Sequence, residues 1–187
     1  GMKQRNAMIA VWTALLLSMG VSLSLATGSS ASDEEFVTSP PSKPSLGAAP
    51  VRPWPHASEV RLFVADLSYD EQKRTGNWTS RPEGIRLTAA QRAIIDESVF
   101  LHRLTKQEWS KRVYAACFVP HHFFRYYDRS GRQLGEIPIC YCCQGIDMAP
   151  ALRATDAYDE SQFDFERVQK MLEGMKIPTN IHCRPDA

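Results

Sequence analysis

The sequence has almost no excess of charge of either sign, since its 22 lysine and arginine residues are matched by 21 aspartate and glutamate residues. Proteins that bind nucleic acid or an anionic membrane surface normally carry a clustered basic excess, so neither partner is expected. Internal repeats are also absent, which excludes a repeat architecture. The chain does have 187 residues, enough for one ordinary domain, and a hydrophobic fraction of 43%, which argues against disorder throughout.

The N-terminal segment predicts export. Lys3 and Arg5 precede an uncharged stretch at positions 6–32, and the apolar part of this stretch, Ala7–Ala26, is long enough to span a bilayer as a helix. A basic start followed by an apolar stretch is typical of a secretory signal peptide or an uncleaved membrane anchor. We therefore predict that residues 1–26 are one of these two. The rest of the chain is expected to be exported, in the periplasm or another extracytoplasmic compartment, with no other contact to the membrane.

Residues 27–56 are rich in proline, serine and alanine. Six of the twelve prolines lie here, namely Pro40, Pro41, Pro44, Pro50, Pro53 and Pro55. Such a segment buries too little apolar surface to offset the entropy of ordering it, and its prolines favour extended conformations. The composition predicts a disordered tether that ends in a globular domain at residues 57–187. Trp54 is predicted to be the first residue in contact with the fold.

The first half of the globular part contains strand patterns and one helix signal. Residues 59–67 alternate apolar and polar side chains as in a half-buried strand, and a shorter strand is predicted at 84–87. Thr88 and Gln91 form a capping-box pattern, in which each side chain bonds to the main-chain N–H of the other residue. The capping box and the apolar residues after it predict a helix over residues 89–104.

The C-terminal part predicts a loop followed by one helix. The chain after Gly145 is predicted to be loop up to about Ser161, and an apolar stripe predicts a helix over 162–174, with Gly174 as its C-terminal cap. His182 and Cys183 are predicted to lie in a frayed tail. Together these patterns predict an α+β fold, in which two helices pack on an antiparallel sheet of about four strands in a single small domain.

A hairpin is predicted around the turn signal Asp128–Gly131, which aromatic and β-branched residues flank on both sides. In an antiparallel pair the numbers of opposed residues add to a constant, and this turn sets that sum near 260. A one-residue bulge, for which Pro120 is a suitable place, would shift the pairing. The pairing gathers four side chains of metal-ligand type at one end of the hairpin, namely Cys117, His122, Cys140 and Cys143.

Four chemistries fit this group. The first is a cross-strand disulfide of Cys117 with Cys140 or Cys143, which suits an exported protein. The second is a structural zinc site, with the ligand types of tetrahedral Zn²⁺ in Cys117, His122, Cys140 and Cys143. The third is thiol redox chemistry at Cys140 and Cys143, although active pairs normally lie at a helix N-terminus, which the following residues do not predict. The fourth is a set of buried free thiols. Because the chain has five cysteines, a disulfide leaves at least one unpaired, and we assign this role to Cys183.

Two short motifs resemble a known group of proteins. The motifs are Cys117-Phe118-Val119-Pro120-His121-His122 and Ile139-Cys140-Tyr141-Cys142-Cys143. They resemble small exported or membrane-tethered bacterial proteins of unknown function with the pattern C-F-x-P-R-H, a turn, then I-C-F-x-C. The resemblance covers about residues 58–178, and the chain departs from the pattern at His121, at Tyr141 and in the additional Cys142. The resemblance points to the same four side chains as the hairpin pairing does. It gives no information about an activity.

Taken together, the sequence predicts a non-enzymatic binding or structural module outside the cytoplasm, with its hairpin secured by a disulfide or by zinc. Its partner is expected to be a protein or another component of the cell envelope. The alternative is a metal-dependent or thiol-redox enzyme that uses Cys140 and Cys143. We favour the module because no complete set of catalytic residues accompanies the cysteines.

Overall fold

The computed structural model describes residues 49–112, 118–152 and 159–183. Within these ranges it shows four helices and seven strands, which confirms the α+β class. No helix in these ranges is long and apolar enough to cross a membrane. The predicted signal or anchor, the tether up to residue 48, and Cys117 lie outside the described residues.

The elements follow one another closely along the chain. The strands are β1 (Glu59–Val64), β2 (Ile85–Arg86), β3 (Val99–Arg103), β4 (His122–Tyr127), β5 (Gln133–Cys140), β6 (Gly145–Ile146) and β7 (Asp159–Phe163). The helices are α1 (Tyr69–Thr75), α2 (Ala89–Asp96), α3 (Lys106–Ser110) and α4 (Phe165–Gly174).

The main sheet has five strands, where the sequence predicts about four. Its order is β2-β1-β4-β5-β6, and every neighbouring pair is antiparallel, while β3 and β7 pair separately. The loop predicted between Gly145 and Ser161 is wrong at both ends, because β6 extends to Ile146 and β7 begins at Asp159. Most residues of β7 are polar, so its strand conformation depends on pairing with β3 rather than on an apolar pattern.

The pairing of β4 with β5 confirms the predicted hairpin. His122 lies opposite Ile139 and Tyr126 opposite Gly135, so the paired residue numbers add to 261, one more than the sum that the turn predicts. A shift in register falls between Tyr126 and Tyr127 near the turn, and Pro120 lies before His122, where the ladder starts. A bulge near the turn lets the remaining pairs run on to the far end of the hairpin without interruption.

The core lies on one face of the main sheet, where helices cover it. Alternate residues of the central strands are buried there, together with one residue of α2 and three of α4: Val60, Leu62, Phe124, Tyr126, Ile137, Ile139, Ile95, Val168, Met171 and Leu172. Full burial of each such side chain contributes roughly 1.5–3 kcal/mol. Because strand residues alternate between faces, this pattern also fixes which residues near the cysteines face inwards.

The helix predicted over 89–104 is wrong in its second half. Its start is confirmed, since Thr88 and Gln91 form the reciprocal capping box, but α2 ends at Asp96. The hydroxyl of Ser98 donates to the carbonyl oxygen of Ile94 at 2.6 Å, and the chain then continues as β3. The β-branched and aromatic residues that begin β3 favour a strand once β7 is available to pair with them.

The helix predicted over 162–174 corresponds to α4, which is shorter than predicted. α4 begins at Phe165, where the carboxylate of Asp164 accepts a hydrogen bond from the main-chain N–H of Arg167 at 3.0 Å. Gly174 is the last helical residue rather than the cap, and the left-handed residue after the helix is Lys176, with a φ of 58°. The chain thus turns away two residues later than the sequence predicts.

The end of the predicted tether lies against the fold. Pro50 forms a bridge with Phe100, and the main-chain N–H of Val51 donates to the carbonyl oxygen of Val99 at 2.8 Å. The ring of Trp54 contacts that of Tyr126, with 4.9 Å between the ring centroids. Trp54 is therefore in contact with the fold as predicted, but it is not the first such residue, because Pro50 already contacts the fold.

The Trp54 contact predicts a position-specific effect of adding one methyl group. In Gly135→Ala, the new Cβ would overlap the Trp54 ring, so Trp54 must move off Tyr126. We expect the free energy of unfolding to fall by about 1–3 kcal/mol, as measured by urea denaturation.

The matched control is Gly174→Ala, because a Cβ at this helical position meets no atom within 4 Å. This variant should be unchanged or more stable, by up to about 1 kcal/mol, since alanine favours a helix over glycine. Equal stability of the two variants would contradict the packing of Trp54 on β5.

Candidate functional site

Four cysteines meet at the end of the hairpin that lies away from the Asp128–Gly131 turn. Cys140 is the last residue of β5, Cys142 and Cys143 follow in the turn to β6, and Cys183 comes from the C-terminal segment. We call these four residues the cysteine cluster. The strand end and the turn are held by the main sheet, so the cluster has a rigid base on that side.

Cys142 and Cys183 form a disulfide, with 5.3 Å between their Cα atoms and a sequence separation of 41. This pairing corrects the prediction that Cys183 is the unpaired cysteine. The prediction of a frayed tail is also wrong for His182 and Cys183, because the preceding Ile181 is buried in the core and Cys183 is cross-linked. No local pattern marks this pair, since one partner lies in a turn and the other beyond α4.

A hydrogen bond from His122 also holds the C-terminal segment. Nε2 of the buried His122 ring donates to the carbonyl oxygen of Pro178 at 2.9 Å. In the neutral ring Nδ1 is then unprotonated, and it has no hydrogen-bond partner in the described structure. Burial disfavours the imidazolium ion and lowers the pKa of His122 to about 4, while the bond to Pro178 acts in the opposite direction and nearby His121 lowers it further.

His122 and Cys140 belong to opposite faces of the hairpin. Because it lies opposite Ile139, it shares the core face with that residue, and strand alternation assigns Cys140 to the other face. The ring of His122 instead contacts the edge of Tyr141, with 5.2 Å between centroids. Of the group expected from the hairpin, His122 therefore lies on the core face, and Cys140 and Cys143 lie at the end of β5 and in the turn that follows.

Cys140 and Cys143 are in direct contact. The thiol of Cys143 donates a hydrogen bond to Sγ of Cys140, with 2.9 Å between the sulfur atoms. Cys140 is 1% exposed, whereas Cys143 is partly exposed. The turn between them is closed by a bond from the main-chain N–H of Gln144 to the carbonyl oxygen of Tyr141 at 3.4 Å, and Gln144 is left-handed, with a φ of 48°.

The expected metal ligands converge only in part. Cys117 is outside the described residues, Cys140 and Cys143 lie together, and His122 faces Pro178. Among the described residues, no three histidine, cysteine, aspartate or glutamate side chains are arranged to hold a metal ion. The zinc site and the disulfide of Cys117 with Cys140 or Cys143 both remain predictions.

An exposed apolar surface lies beside Cys143. Phe118 is 36% exposed and Val119 59% exposed, and we call this pair the apolar rim. A Cβ placed on Gly145 would lie 2.6 Å from the Phe118 ring and 3.5 Å from Sγ of Cys143. Phe118 and Cys143 therefore approach Gly145 together, and the absence of a side chain there makes room for the aromatic ring.

No protein-family model, curated protein or solved structure matches the chain.

The buried state of His122 predicts a dependence of stability on pH. Between about pH 6.5 and pH 4, the unfolded chain binds a proton at this ring and the folded chain does not. Acidification through this range therefore favours unfolding, and His122 should account for a loss of up to about 3 kcal/mol. The loss is measured as the free energy of unfolding in urea at several pH values.

The comparison is made between variants, because other groups also titrate in this range. His122→Gln should be less stable at pH 7 but should lose less stability on acidification than the unmodified chain. His56→Gln, which changes an exposed histidine, should keep the original dependence. An identical pH dependence in His122→Gln and the unmodified chain would show that His122 is not held neutral.

Proposed function

We propose that the protein is a non-enzymatic binding or structural module that works outside the cytoplasmic membrane. The observation that carries this proposal is the disulfide between Cys142 and Cys183, which joins the C-terminal segment to the end of the main sheet. Disulfides persist in oxidising compartments and are rare in the cytosol. The disulfide therefore agrees with the export that the N-terminal sequence predicts.

The role of His122 supports a structural interpretation over an enzymatic one. A histidine beside cysteines is the usual candidate for a general base or a metal ligand. Here its ring is buried, and Nε2 bonds to the main chain at Pro178. The Nε2 proton of His122 is thus engaged in a hydrogen bond that holds the C-terminal segment, which is a structural role.

The partner that we propose is a protein or another component of the cell envelope. As an uncleaved anchor, residues 1–26 would keep the domain close to the membrane surface through residues 27–49, which precede the contact at Pro50. The near-balanced charge gives no electrostatic reason to expect nucleic acid. The apolar rim of Phe118 and Val119 offers exposed apolar surface for contact with such a partner.

The proposal is tested by comparing the full chain with a chain that lacks residues 2–26, both produced in bacterial cells. In the full chain, Cys142 and Cys183 should resist alkylation until reductant is added, and external protease should reach the domain once the outer barrier is opened. In the shortened chain both cysteines should alkylate directly. A full chain that resists external protease and keeps both thiols reduced would overturn the location. Catalytic turnover of a substrate, lost in a folded Cys140→Ser variant, would overturn the non-enzymatic role.

The disulfide also predicts a loss of stability in the double variant Cys142→Ser/Cys183→Ser. A cross-link with a sequence separation of 41 removes about 4 kcal/mol of unfolded-chain entropy in the loop-closure treatment. We therefore expect the free energy of unfolding to fall by about 2–4 kcal/mol, measured by urea denaturation.

The control for this prediction is the effect of reductant on each chain. Reductant should lower the stability of the unmodified chain towards that of the double variant, and it should change the double variant much less. Equal stability of the two oxidised chains would mean that the C-terminal segment is held without the disulfide.

A further inference from the structure

We propose that Cys140 and Cys143 are a reversible dithiol–disulfide couple, distinct from the Cys142–Cys183 bridge, which exchanges with a disulfide in another polypeptide through Cys143. This inference goes beyond the structural role proposed above, because it gives the module a redox reaction of its own. It rests on the distance between the two sulfur atoms, on their different exposure and on the apolar rim.

The two sulfur atoms are already close to bonding distance. They lie 2.9 Å apart, and a disulfide bond is about 2.05 Å long, so closure requires an approach of roughly 0.9 Å. The strands hold the turn in place, since Cys140 pairs with Gly145 and Ile139 pairs with Ile146 on either side of it. Closure is therefore a local change of the turn.

Cys142, which lies between Cys140 and Cys143 in the sequence, is already in a disulfide. Cys142 is bonded to Cys183, so the sequence Cys140-Tyr141-Cys142-Cys143 divides into one structural half-cystine and one pair in contact. The proposed couple therefore changes its redox state while the C-terminal segment stays cross-linked.

Exposure gives the two sulfur atoms different roles. Cys143 is partly exposed and Cys140 is 1% exposed, so an external disulfide reaches Cys143 first. The thiolate of Cys143 attacks one sulfur of the external disulfide, which forms a mixed disulfide and releases the other sulfur as a thiolate. The thiolate of Cys140 then attacks Sγ of Cys143 and releases the second external thiolate. The two cysteines are oxidised by two electrons, the external disulfide is reduced to two thiols, and the protons lost by the cysteines pass through solvent to those thiols.

The apolar rim indicates a polypeptide rather than a small polar disulfide as the co-reactant. Phe118 lies against Gly145 next to Cys143, and Val119 beside it is 59% exposed. An extended chain that brings a disulfide to Cys143 would cover these two apolar side chains. A small charged disulfide has no apolar surface for this contact, so it should exchange more slowly than an apolar peptide.

The experiment uses the purified full chain and a fluorescent peptide that contains a disulfide flanked by apolar residues. The chain is equilibrated in dithiol–disulfide buffers of graded potential, the thiols are alkylated, and the cysteines are mapped by mass spectrometry. We expect Cys140 and Cys143 to lose alkylation together and to map as one disulfide, while Cys142–Cys183 stays oxidised throughout. Cys117→Ser should give the same result.

Single substitutions distinguish the attacking sulfur from the resolving sulfur. With the peptide, and in the Cys117→Ser background, Cys140→Ser should accumulate a mixed disulfide at Cys143, because the resolving thiol of Cys140 has been removed, whereas Cys143→Ser should accumulate at least tenfold less. Phe118→Ser should slow exchange with the apolar peptide by about 2- to 10-fold, the loss expected for one aromatic contact, and should leave exchange with oxidised glutathione unchanged.

Three results would overturn the couple. They are mapping of a disulfide from Cys117 to Cys140 or Cys143 in the unmodified chain, about one bound zinc per chain that protects these thiols, and equal trapping in Cys140→Ser and Cys143→Ser. Repeated turnover of the peptide with an added reductant would support the couple while overturning the non-enzymatic role, so the two proposals fail separately.

Discussion

The register of the β4–β5 hairpin is the constraint on which the rest of the structure depends. The turn sets it locally, because the Asp128 carboxylate accepts bonds from the main-chain N–H groups of Ser130 and Arg132 at 2.9 and 3.0 Å, and Gly131 takes a φ of 81°. A slip of one residue would exchange the two faces of β4. His122 would then leave the core, and the central strands would no longer present one apolar face to α2 and α4.

The far end of the same hairpin organises the C-terminal segment by two unlike interactions. On the core side, the His122 ring bonds to the carbonyl oxygen of Pro178, and Ile181 is buried close behind in the sequence. Beyond the strand, Cys142 is cross-linked to Cys183. The hydrogen bond fixes where the segment leaves α4 and the disulfide fixes where it ends. The contact of Cys140 with Cys143 lies next to the cross-linked cysteine, on a turn whose ends belong to the sheet.

Sequence patterns predict those parts of the fold that local chemistry decides. The turn signal predicts the pair next to the turn, Tyr127 opposite Gln133, but not the bulge that shifts the following pairs by one residue and so decides which face His122 takes. The start of α2 follows from its capping box. α1 and α3 carry the same capping-box pattern but have only 7 and 5 residues, too short to produce an apolar stripe. The end of α2 and the whole of β7 (Asp159–Phe163) depend on pairing between distant segments, which periodicity does not reveal. The partner of Cys183 depends on where α4 directs the chain, so no spacing rule points to it.

The Cys142–Cys183 bridge closes a covalent ring that contains β6, β7 and α4. A single break in the backbone anywhere inside this ring would leave two pieces of chain that are still joined through sulfur. The α4 residues that complete the core, Val168 and Leu172, would then remain at high effective concentration beside the sheet instead of diffusing away. The C-terminal part of the fold is thereby retained even when its own peptide chain is cut.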